Sequence, residues 1–75
     1  MADDRINVLE DIIVRNAGPL GKFIIKKSMA DLEINPEGLN ETNKARLVDL
    51  VLQRAIFDES KRPFIRKQIS DAWGD

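Results

Sequence analysis

The residues of this 75-residue chain whose types could do chemistry are two pairs of adjacent carboxylates, Glu10-Asp11 and Asp58-Glu59, and the cations Lys61, Arg62, Arg66 and Lys67. Paired carboxylates serve as general acid and base, or hold a divalent cation. Neighbours on a helix diverge by about 100°, so neither pair converges on one reacting atom. A solvated helix face accounts for the first pair and a helix start for the second. With no Cys and no His, thiol catalysis, thiolate zinc sites, disulfides and the commonest general base are all excluded. No cofactor, no metal and no enzymatic activity are expected.

The four cations would share one side of a last helix, where they could track a phosphate backbone as in helix-turn-helix proteins. The stretch Gly18-Pro19-Leu20-Gly21-Lys22 has the spacing of the GXXG loop of KH domains, which clamps nucleic acid with backbone N–H groups and nearby lysines. Pro19 supplies no N–H there, and no strand pattern downstream offers the sheet such a domain needs. The glycine spacing is too short for a P-loop, and no Ser or Thr follows Lys22. Nucleic-acid binding through the basic helices is therefore the second reading, and a formal net charge of −1 speaks against it.

The elements that must position these residues are helical. In the stretch from Asn40 to Phe57, residues Leu47, Val48, Val51, Leu52, Ala55 and Ile56 fall in one arc at helical spacing, while Leu50 and Phe57 form a narrower stripe opposite. A helix apolar on two sides has two neighbours. Asn40 suits its N-cap, and Glu41 its positive end. Upstream, Asp3 or Asp4 can cap a first helix with Ile6, Val8, Leu9, Ile12 and Ile13 on one face; Gly18 ends it and Pro19 opens the next. The second helix gathers Leu20, Ile24, Ile25, Met29 and Leu32 around the small residues Gly21 and Ser28, which would let another helix come close.

Asn35-Pro36-Glu37-Gly38 reads as a turn with Pro at its second and Gly at its fourth position. After the central helix, Ser60 is the expected N-cap of a last helix, with Pro63 at its third position, and with Phe64, Ile65, Ile69, Ala72 and Trp73 on one arc. The expected fold is an all-α bundle of four helices at about 4–16, 19–32, 41–57 and 61–73, forming a single domain over residues 1–75.

A composition of 43% hydrophobic and 33% charged residues fits a globular domain, though one this short buries only roughly 60–65% of its unfolded surface. No apolar run approaches the ~18 residues that span a bilayer. Met1-Ala2-Asp3-Asp4 is acidic where a secretory signal is basic and then apolar, so a cytoplasmic location without membrane contact is expected. Charge alternates between acidic and basic helices, which suits attraction within the bundle or between copies. The surface left for a partner is placed at Phe23 with Lys22 and Lys26, at Leu50 and Phe57, and at Trp73, the last being either the plug of the bundle or an exposed anchor.

The order Gly18-Pro19-Leu20-Gly21, Ile24-Ile25, a loop, then Leu47, Leu50, Ile56, Asp58, Arg62 and Phe64 resembles small helical modules at the C-termini of some bacterial and archaeal signalling proteins, serine/threonine kinases and receiver-type proteins among them. The resemblance covers roughly residues 9 to 68, departing at Gly21, where Ala is more usual, and at Pro63 before Phe64. It implies an accessory module without chemistry of its own. The expected function is protein–protein interaction or self-association, for instance as a homodimer, in a regulatory system.

Overall fold

The structure, a computed structural model, describes residues 4–35 and 37–74. Four α-helices account for the chain, with no strand among the described residues: α1 Asp4–Ala17, α2 Leu20–Asp31, α3 Glu41–Ala55 and α4 Arg62–Trp73, the last preceded by a 3-10 turn at Glu59–Lys61. Each helix packs on two others, α1 on α2 and α4, and α3 on α2 and α4. No helix among the described residues is long and apolar enough to cross a membrane.

Local chemistry sets most of the boundaries. Gly18, at φ 89°, stops α1 and donates its N–H to the Val14 carbonyl at 2.8 Å, a left-handed exit that favours glycine. Pro19 at φ −58° then leads into α2. Asn40 caps α3 reciprocally: its Oδ1 accepts from the Thr42 and Asn43 N–H groups at 3.0 Å, and Asn43 Oδ1 accepts from the Asn40 N–H at 2.7 Å. The expected turn is closed by the Gly38 N–H on the Asn35 carbonyl at 2.8 Å. Asp3, the other candidate cap of α1, and Pro36 lie outside the described residues.

Other expectations are corrected. α2 ends at Asp31 through a motif not anticipated: Glu33 is left-handed at φ 57°, and Ile34 donates back to the Met29 carbonyl at 2.9 Å, burying both of those side chains. α3 does not reach Phe57. Ile56 turns extended, which buries its side chain and frees its carbonyl to accept from Arg62 Nε at 2.9 Å. Leu50 and Phe57 are therefore not one helical stripe. Asp58, not Ser60, makes the next cap, its Oδ1 accepting from the Ser60 N–H at 3.0 Å and hydroxyl at 2.7 Å, and Pro63 stands in the first turn of α4.

The core is aliphatic: Leu9, Ile13, Ile25, Leu47, Val51, Leu52 and Ile69 are sealed from solvent, and every buried apolar side chain is Ile, Leu, Val, Met or Ala. Ile65, Ile69 and Trp73 form the inward i, i+4 line of α4, so Phe64 and Ala72, expected on that arc, stand outside it. Leu20 is likewise outside the core of α2. Gly21, one residue on, faces α1, and the close approach there centres the buried face on Gly21, Ile25, Ser28 and Met29. The radius of gyration, 11.1 Å, matches the ~11 Å of a tightly folded chain of this length. The exposed apolar side chains are therefore not a sign of loose packing.

Candidate interaction surface

All three phenylalanines of the chain lie outside the core, Phe23 being 67% exposed, Phe57 87% and Phe64 75%, with Leu20 beside them at 71%. Phenylalanine is among the residue types most often buried, and burying one stabilises by roughly 1.5–3 kcal/mol. A 75-residue domain that needs every such contribution leaves these three in water.

Their placement follows from the helix ends. Phe57 sits in the extended link after α3 and lines an open depression of about 360 Å³, together with Ala17 at the end of α1, Lys61 in the 3-10 turn and Ile65 in the first turn of α4. Phe64 is the neighbour of Ile65, and Leu20 follows Ala17 by three residues, with Phe23 one turn further along α2. Lys22 and Lys26 are exposed beside Phe23, so α2 presents a basic face with an apolar centre. The sequence reading named Phe23 and Phe57 but not Leu20 or Phe64. The signal for Phe64 was the line Ile65, Ile69, Trp73, which leaves the residue before Ile65 about 100° off the buried face.

Other candidates are occupied by structure. Leu50 is half-exposed on α3. Trp73 is half-buried, its Nε1–H donating to the Arg5 carbonyl at 3.0 Å, and the Lys44 ammonium lies 5.9 Å from its ring centroid. Of the four cations considered for nucleic acid, Arg66 is paired with Asp49, and Arg62 holds the Ile56 carbonyl and faces Glu59 at 3.8 Å. Lys61 and Lys67 remain exposed. A smaller depression of about 140 Å³ between α3 and α4 is lined by Lys44, Arg66, Ser70 and Trp73. Lys44 there meets Glu41 at 3.1 Å, so both cations are already engaged. Glu10 and Asp11 diverge, and no group of three or more possible metal ligands occurs among the described residues.

One polar cluster ties α2 to α3. Arg54 donates to the buried Ser28 hydroxyl at 3.3 Å and meets Asp31 at 2.6 Å. The hydrogen bond from Arg54, helped by the charge of Lys27, holds the Asp31 carboxyl below its ordinary value of 3.8. A depressed carboxylate favours the folded state above its unfolded value, and that advantage is lost as pH falls through the folded one. The stability of the wild type over Asp31→Asn should thus be full above pH 3.8 and shrink below it. Urea titrations across that range would show it, and a difference independent of pH would mean the pair is not linked to folding.

No family model matches the chain, and neither a curated protein nor a solved structure does so.

Proposed function

We propose that the protein is a non-catalytic interaction module that binds another protein or itself, and that its exposed phenylalanines are the anchors. The observation that carries this is the partition of its apolar residues, an entirely aliphatic core beneath a surface holding every Phe. Aromatic anchors are the side chains that dominate binding energy at protein interfaces, because they bury much area at small entropic cost. The absence of Cys and His supports a role without chemistry. The resemblance of Gly18-Pro19-Leu20-Gly21 and Ile24-Ile25 to accessory modules of signalling proteins supports a regulatory setting.

Nucleic acid is the weaker partner, because Arg62 and Arg66 already hold the α3–α4 connection together. Salt-dependent binding needs several free cations on one face, and of these four only Lys61, in the 3-10 turn, and Lys67, on α4, are left.

The test is photo-cross-linking from positions 57 and 64, with position 46 on the exposed polar side of α3 as control, in an extract of the source cells. Discrete protein adducts from 57 and 64 but not 46 are expected, alongside flat titrations with duplex DNA and RNA. Adducts absent from both positions, with tight salt-sensitive nucleic-acid binding, would overturn the reading.

A further inference from the structure

The exposed side of α2 carries one sign of charge around an aromatic centre. At about 100° per residue Phe23 marks the middle of that side, with Ala30 about 20° away. Lys27 stands about 40° to one hand with Leu20 beyond it, and Lys26 about 60° to the other with Lys22 beyond it. Asp31, the one carboxylate of this helix, lies about 80° off and is held by Arg54 at 2.6 Å, with Lys27 at 3.7 Å. The other two phenylalanines have mixed surroundings. Phe57 adjoins Asp58 and shares its depression with Lys61, and Phe64 lines up with Asp71, seven residues on, as well as with Lys67.

Resting on the interaction reading above, we propose that the exposed face of α2 docks an acidic segment of another protein, with Phe23 seated in an apolar recess of that partner and Lys22, Lys26 and Lys27 meeting carboxylates around it. An apolar centre inside a charged rim is the anatomy of a protein interface, and a rim that is cationic throughout is complementary to an anionic one. A second copy does not supply this. Two α2 faces laid together oppose lysine to lysine, and the outer face of α1, with Asn7, Asp11 and Arg15, offers no large exposed apolar side chain to cover Phe23. A helix that lies in a lipid surface buries a broad apolar face, whereas Lys26 and Lys27 leave only about 100° between them. A single aromatic ring rising from so narrow a strip fits a pocket, as interface anchors do. Three ammonium groups on a 12-residue helix also fall short of the roughly 6–10 phosphate contacts that give tight nucleic-acid binding.

Photo-cross-linking of the full chain from position 23, with an aromatic photo-probe in place of Phe23 and the linked segments identified by mass spectrometry, tests this in an extract of the source cells. The linked segments are expected to be rich in Asp and Glu, and the yield of adduct to fall with added salt. Lys22→Glu/Lys26→Glu should cut that yield by about tenfold or more, and Lys22→Arg/Lys26→Arg should keep it. Arg15→Glu/Arg46→Glu, the same change of net charge at exposed positions off this face, should leave it unchanged. Circular dichroism serves as the folding control, since all these positions lie at the surface. Linked segments that are neutral or basic, or a yield indifferent to the lysine reversal, overturn the proposal, and so does an adduct between two copies of this chain. No adduct from 23 while positions 57 and 64 still cross-link a protein would refute this face and leave the interaction reading standing. Binding to phosphatidylserine vesicles that the lysine reversal abolishes, without a protein adduct, would assign the face to a lipid surface and equally refute it.

Discussion

Trp73→Ala should lower the unfolding free energy by about 3 kcal/mol, the low end of the range for truncating a packed aromatic because this ring is only half-buried. Trp73 is the one aromatic side chain packed against the core, and it closes the bundle from its last turn. Its indole N–H holds the Arg5 carbonyl at 3.0 Å, and Arg5 Nη2 in turn donates to the Leu39 carbonyl at 3.0 Å. The end of α4, the start of α1 and the approach to α3 are thereby joined. Lys44, buried to 7% exposure, also rests its charge 5.9 Å from the indole centroid and would lose that cover. A domain of this length has roughly 4–11 kcal/mol in total, so the loss removes a large part of it. Trp73→Phe keeps most of the ring but not the N–H, and should cost about 1 kcal/mol. Urea unfolding followed by circular dichroism separates the two; a Trp73→Ala midpoint equal to wild type would mean the ring closes nothing.

How far such roles were legible in the sequence depended on whether they were local. The Asn40 cap and the Gly18 exit are decided within four residues, by a side chain reaching the next turn or by a backbone angle only glycine takes easily. The core stripe of α3 was legible because five apolar residues at helical spacing, Leu47, Val48, Val51, Leu52 and Ala55, leave one face to bury. Ile56 was not, because its helical periodicity continues unbroken. The helix stops there only because an extended Ile56 buries its side chain and finds Arg62 for its carbonyl, a partner six residues away. Leu20 and Phe64 failed for another reason. A wheel places them about 100° from Gly21 and Ile65, and how wide a stripe is buried depends on how closely the neighbouring helix comes. Glu33 gave no signal at all, being a non-glycine residue in a left-handed cap that usually takes glycine.

The same misplacements define the candidate surface. Residues counted toward the core by periodicity, Leu20 and Phe64, join Phe23 and Phe57 outside it, and the core closes without them on aliphatic side chains. A small domain built this way has modest stability as a monomer and gains from whatever covers its aromatics, because a partner that binds only the folded state adds its binding free energy to folding. Self-association through these aromatics would therefore appear as a midpoint of unfolding that rises with protein concentration. In the same arrangement Arg62 and Arg66 are explained without a ligand, one as the cap of α3 and the other as the pair of Asp49.

Gly21→Val should cost about 3 kcal/mol, because position 21 is where α1 and α2 approach most closely. A methyl carbon at position 21 would stand 2.8 Å from Ile13 Cγ2 and 3.2 Å from the Val14 backbone nitrogen. The first neighbour is a side chain that can turn; the second is backbone and cannot move without shifting α1. Gly21→Ala gains about 1 kcal/mol of helix propensity and loses about 1–3 kcal/mol to overpacking, so its net effect is small to moderate. Valine adds two further carbons and a restricted rotamer, gaining less propensity than alanine while forcing the helices apart. Denaturant midpoints of the three proteins should fall in the order wild type, Ala, Val. A Gly21→Val protein as stable as wild type would show that α1 and α2 leave room for a side chain at that crossing.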